Sequence, residues 1–217
     1  MKIEVTNFTK SIGKMNVLEN INISLESGHI YGVVGRNGSG KTMFLRMIAG
    51  LILPTSGEVS VDGQILGKDI SFPEQLGILL EEPNFLSFLT GYENLRMLAK
   101  IRKITSDEQI QSFMNLFNLD WKRDKKFRNY SLGMKQKLGI IQAVMENPQI
   151  VILDEPFNAL DESAAETLRK MLKNLKDEQK LIVMTSQHKE DIELLCDHVL
   201  TISNGKLAKH ERGTVSA

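Results

Sequence analysis

The stretch "HIYGVVGRNGSGKT", His29 to Thr42, leaves this chain few folds to choose from. An apolar run passes directly into a loop holding Gly35, Gly38 and Gly40. Lys41 then opens a helical pattern that reaches about Leu51 and is closed by Pro54 and the turn "TSG". Gly35, Gly40, Lys41 and Thr42 satisfy the spacing G-x-x-x-x-G-K-[ST], and a strand before with a helix after is the context that spacing needs. Glycine lets the backbone curl until successive N–H groups face one anion, and the helix N-terminus adds its partial positive charge. Gly35, Arg36, Asn37, Gly38, Ser39, Gly40, Lys41 and Thr42 are therefore the candidate phosphate-binding loop. In it Lys41 would reach the β- and γ-phosphates and the Thr42 hydroxyl would ligate Mg²⁺.

The remaining punctuation alternates strands with helices. "KIEVTNF" and "NINISLES" read as strands, the second alternating through Ile21, Ile23 and Leu25. "EVSVDG" is a strand and turn, and "LGILL" a short buried strand. From Thr90 to about Leu119 the sequence reads as helical, with Thr105 and Glu108 of "TSDE" fitting a capping box that starts the second helix and Phe113, Leu116 and Phe117 placed as core. The basic run "WKRDKKFR" reads as a solvated connection. A helix from about Leu132 to Glu146, the strand "IVIL", a helix through about Leu175, the strand "LIVMTS", a helix to about Cys196 and closing strands at "HVLTIS" and "KLAKH" complete the chain. This predicts an α/β fold: a P-loop core with a mostly parallel sheet, an N-terminal antiparallel β portion and an inserted helical subdomain. The expected organisation is a single domain over residues 1–217, with the core at 1–89 and 148–210, the helical subdomain at about 90–147 and a tail at 211–217.

Composition narrows the partners. The 27 basic and 27 acidic residues cancel, which argues against a nucleic-acid partner. The single cysteine and the absence of a basic-plus-apolar leader point to the cytoplasm. Apolar runs such as "IVIL" are too short to span a bilayer, so any work at a membrane requires docking on another polypeptide.

"IVILDEP" supplies the second half of the chemistry. An apolar strand ending at Asp154 sets a carboxylate beside the phosphate loop, where it can hold Mg²⁺ through water, and Glu155 is suited to orient or deprotonate an attacking water. These two motifs define a nucleotidase, a class that includes kinases, GTPases and mechanical ATPases.

A third motif is "YSLGMKQ", Tyr130 to Gln136, a second helix start suited to an anion. The order of P-loop, helical insert, YSLGM, Asp154-Glu155, "NALD" and a later strand ending in "TSQH" resembles, over nearly the whole chain, the nucleotide-binding subunit of ABC transporters. YSLGM stands where that family has LSGGQ, with Leu132 and Met134 as departures. The resemblance implies ATP and Mg²⁺ held between the P-loop of one subunit and the signature helix of another. Ser131 and the N–H of Gly133 would then contact the γ-phosphate across the dimer, with a homodimer expected. It further implies that His188 is the switch histidine beside the catalytic Glu155, that Asp161 belongs to the loop linking the two sites, and that Glu81 stands in the Q-loop beside the metal. The adenine-stacking aromatic of the family falls at Ile12. Residues Glu82 to Gly91, with Phe85, Leu86, Phe88 and Leu89, would meet a separate integral-membrane permease, and the "EEP" pattern is shared with drug and peptide exporters. A subunit so built would lie on the cytoplasmic face of the membrane. The alternative is an ABC-type ATPase acting on a protein or nucleic-acid complex without a permease.

Overall fold

The computed structural model describes residues 1–120 and 124–212, so Trp121 to Arg123 of the basic run and residues 213–217 of the tail lie outside it. Two sheets organise the chain. The first is antiparallel, in the order β2-β1-β4-β5, built from β1 (Lys2–Ile12), β2 (Met15–Glu26), β4 (Ser56–Val61) and β5 (Gln64–Ile65). The second has the order β10-β9-β3-β8-β7-β6 and contains β3 (His29–Val34), β6 (Leu76–Leu79), β7 (Ile150–Leu153), β8 (Leu181–Thr185), β9 (His198–Ser203) and β10 (Lys206–Arg212). Its pairings are parallel except for the β9–β10 hairpin at one edge.

The unbroken apolar runs of β7 and of β8 as far as Met184 follow from burial on both faces. Ile150 and Ile152 of β7, with Leu181 and Val183 of β8, pack against α1 (Lys41–Ile48) and the antiparallel sheet. Val151 and Leu153, with Ile182 and Met184, face the other helices: α2 (Gly91–Arg102), α3 (Asp107–Leu116), α4 (Leu132–Val144), α5 (Glu162–Asp177) and α6 (Lys189–Leu195). The helices inserted before β7 share this second cluster with the sheet. Contact is closest between β6 and α4, where a Cβ added at Gly77 would lie 1.8 Å from the Ala143 carbonyl oxygen.

Several local expectations need correction. Helix α1 stops at Ile48, short of Leu51, because Gly50 (φ 76°) forms the left-handed turn after it. The Leu51 N–H then bonds Arg46 O at 2.9 Å and the Gly50 N–H bonds Met47 O at 3.1 Å, a glycine stop that Pro54 merely follows. The two helices expected between Thr90 and Leu119 are present, divided where Lys103 turns left-handed (φ 58°). The capping box of α3 lies one residue later than expected, with Ser106 as N-cap and Gln109 answering it. Thr105 instead donates its hydroxyl to Met145 O at 3.1 Å. Leu116 is 50% exposed, since the buried stripe runs through Ile110, Met114 and Phe117 and Phe113 only flanks it. No helix among the described residues is long and apolar enough to cross a membrane.

Candidate nucleotide site

The loop between β3 and α1 folds tightly because glycine occupies its closest approaches. A Cβ at Gly35 would lie 2.3 Å from Ile202 O, and Gly38 and Gly40 take φ of 76° and 110°. Lys41 is buried, and its ammonium folds back across the loop to donate to Gly35 O at 3.0 Å.

The parallel pairing of β7 with β8 sets Leu153 opposite Met184, which brings Thr185 beside Asp154. Asp154 is fixed by two hydroxyls: Thr42 Oγ1 donates to Oδ2 at 2.7 Å and Thr185 Oγ1 donates to Oδ1 at 2.6 Å. The Thr185 oxygen also accepts from the Glu155 N–H at 2.7 Å. Adjacent oxygens on octahedral Mg²⁺, with bonds of about 2.0–2.1 Å, stand about 2.9 Å apart. The Thr42–Asp154 oxygen pair, at 2.7 Å, therefore fits such an ion after a small adjustment.

Glu155 sits in the left-handed region, φ 47°. Its Oε2 accepts from the Gln187 N–H at 3.0 Å, and its Oε1 is buried without a partner. Burial raises its pKa above the ordinary carboxylate value, with the Asp154 charge adding to the effect and the Gln187 N–H and Lys41 opposing it. Among the described residues, the buried side-chain oxygens and nitrogens lacking a partner are Ser39 Oγ and Glu155 Oε1. Both residues line one cleft of about 890 Å³, which runs from Met15, Asn16 and Val17 past the glycine loop to Asp154, Glu155 and Gln187.

Most of the motif residues meet here. Asn37, Gly38, Ser39, Gly40, Lys41, Thr42, Glu81, Asp154 and Glu155 line the cleft. Glu81 is left-handed (φ 60°) and pairs with Arg46 at 2.6 Å. Ile12 does not line it. Met15, paired with Ile12 across the β1–β2 hairpin and 69% exposed, takes the place at the cleft's edge. His188 is exposed at the start of α6 and outside the lining, where its neighbour Gln187 is found. Ser131 caps α4, accepting from the Met134 N–H at 3.3 Å, and neither it nor Gly133 lines the cleft of its own chain. Asp161 caps α5 through the Ala164 N–H at 2.9 Å and pairs with Lys137 at 2.6 Å, a contact that holds its carboxyl below the usual range. Thr185, Gln136 and Gln187 escape the sequence reading. Only Thr185 carries a signal, as the polar end of a strand otherwise apolar throughout.

A glycine-loop phosphate cradle, a hydroxyl–carboxylate pair and a desolvated glutamate on adjoining strand ends define a P-loop nucleoside triphosphatase. Within that class, the chain belongs to the ABC transporter family, whose domain it matches over residues 18–158. It is 45% identical over 210 residues to the ABC transporter ATP-binding protein YybJ of Bacillus subtilis, covering 97% of this chain and 96% of that one. To the bacitracin transport ATP-binding protein BcrA of Enterococcus faecalis it is 38% identical, covering 95% of this chain and 68% of the relative. A solved ATP-binding subunit of an ABC transporter superposes with a TM-score of 0.88 at 27% identity, over 98% of this chain and 90% of that one. The protein is thus an ATP-binding subunit with ATPase activity.

Proposed function

We propose that this chain is the motor subunit of an exporter, closing as a dimer on two ATP molecules and driving a separate membrane permease. The observation that carries the ATP site is the coincidence of both partnerless buried oxygens on the glycine-loop cleft. An anion accepts from Ser39 Oγ, and a water donates to Glu155 Oε1.

In this reading the main-chain N–H groups from Gly35 to Thr42 cradle the phosphates, and Arg36 and Asn37 contribute through their backbone. Lys41 exchanges Gly35 O for phosphate oxygens. Thr42 and Asp154 would hold Mg²⁺, and Glu81 would approach it from the cleft wall once it leaves Arg46. Such an ion would supply positive charge against the phosphate oxygens. Glu155 orients and deprotonates the attacking water, and its desolvation makes it a stronger base than a carboxylate in water. His188 contacts the γ-phosphate after the segment following β8 turns inward. Ser131 and Gly133, which stand outside the cleft's lining although Leu132 between them belongs to it, meet the nucleotide of a second, identical subunit. Asp161, on the loop between the two half-sites, links them.

The permease seat is a second cleft of about 830 Å³ between the sheet and α2, lined by Leu51, Phe85, Leu86, Met97 and Glu82 among others. Leu86 and Phe88 are exposed there or nearby, whereas Phe85 stacks edge-on against Phe127 and serves packing as well. BcrA is named for bacitracin transport, and an antimicrobial or drug-like cargo is the one we assign to this chain's permease. Affinity purification from gently solubilised membranes of the native host tests this reading. A stoichiometric multi-spanning partner is expected. Recovery with a soluble complex alone would contradict the transporter role and leave the ATPase chemistry standing.

A further inference from the structure

Glu155 holds its carboxylate at the cleft from a backbone conformation that a glutamate adopts only under constraint (φ 47°). Something must fix that backbone. On its N–H side the constraint is Thr185 Oγ1, at 2.7 Å. On its carbonyl side two groups donate: the Asn158 N–H at 3.2 Å, within the same loop, and Gln136 Nε2 at 3.1 Å, from helix α4. The Gln136 amide also donates to Pro156 O at 3.2 Å, bridging two successive carbonyls. Gln136 is 7% exposed, so its amide has little water to replace these partners.

The neighbours of Gln136 hold the same loop. A Cβ at Gly133 would stand 2.6 Å from Ala159 O, and Lys137 pairs with Asp161 at 2.6 Å. The first two turns of α4 therefore grip residues 155–161 at three points, and only the Gln136 contact reaches Glu155 itself.

We infer that Gln136 is a positioning residue for catalysis: its bridging amide sets the backbone of Glu155, and with it the direction of the carboxylate. This rests on the ATPase reading above. Because α4 opens at Ser131, whatever engages that helix start is joined to Glu155 by little more than one helix turn and one side chain.

The test is steady-state ATPase kinetics on the full chain with Gln136→Met, which keeps length and loses the donor, and Gln136→Glu. Losing a buried donor to main-chain carbonyls should lower kcat about 10- to 100-fold while KM for ATP stays within about twofold. Gln136→Glu supplies the readout that mere packing would not move. Its carboxylate repels the two carbonyls when ionised and donates to one when protonated, so its rate relative to wild type should climb as pH falls. Wild-type kcat in Gln136→Met, or equal losses in both variants with no recovery of Gln136→Glu in acid, overturns the inference while the ATPase reading stands. Absence of ATPase activity in the wild type would overturn both.

Discussion

At the scale of single residues, Glu155 carries the sharpest prediction. Its folded pKa lies above the ordinary 4.5, so the native state holds this proton more tightly than the unfolded chain does. The group's contribution to stability therefore falls as pH rises from about 4.5 through the folded value, and the deficit is complete above it. Glu155→Gln removes the charge, and relief of about 1 kcal/mol should raise Tm by about 2–4 °C at pH 8. Thermal melts across pH check this: the gain should vanish below the ordinary carboxylate value, and a pH-independent gain would contradict burial of the charge as its cause. The same variant should bind ATP and barely hydrolyse it. The meeting of Lys41, Thr42, Asp154 and Glu155 on one cleft was legible in the sequence because backbone, side chain and element are specified together by short motifs. Gln136 was not, since its partners are two carbonyls 19 and 20 residues away and no residue pattern announces a carbonyl.

At the scale of elements, α4 has two tasks that one substitution separates. As a plain N-cap, Ser131 would lose about 1 kcal/mol on change to Ala, a Tm drop of about 2–4 °C. As an anion ligand across a dimer it would also lose a charge-assisted bond, and ATPase activity would fall about tenfold or more. Ser131→Ala should show both effects, measured by melts and by turnover. An intact rate would leave Ser131 as a cap alone. The seam between α4 and β6 gives a purely structural prediction. Gly77→Ala forces a Cβ against the Ala143 carbonyl, so a loss above about 3 kcal/mol, or insoluble protein, is expected in chemical denaturation. Strands buried on both faces were readable as apolar runs, and their bounds at His29–Val34 and Ile150–Leu153 followed from composition. Helix ends were less so. Gly50, Lys103 and Ser106 stop and start helices through backbone turns and caps, and adjacent Thr105 and Ser106 offer equally good caps until the helix phase is known.

At the scale of the whole molecule, the function proposed above makes this chain half of a machine. The sheet brings the glycine loop from Asn37 on, the Thr42–Asp154 pair and Glu155 to one cleft, while Ser131 and Gly133 of the helical insert stand outside its lining. Order along the chain made the family legible, because the sequence of motifs resembles that of ABC transporter ATP-binding subunits. What order could not convey was orientation: Met15 in place of Ile12 at the cleft's edge, and His188 turned out of the lining. Both depend on hairpin register and loop direction rather than on residue type. The central claim, that two such halves close on ATP, is tested most directly by light scattering on Glu155→Gln with Mg²⁺, with and without saturating ATP. The account predicts a mass that doubles with ATP and returns to one chain when ATP is removed. A mass that stays at 24.5 kDa at saturating ATP would contradict it.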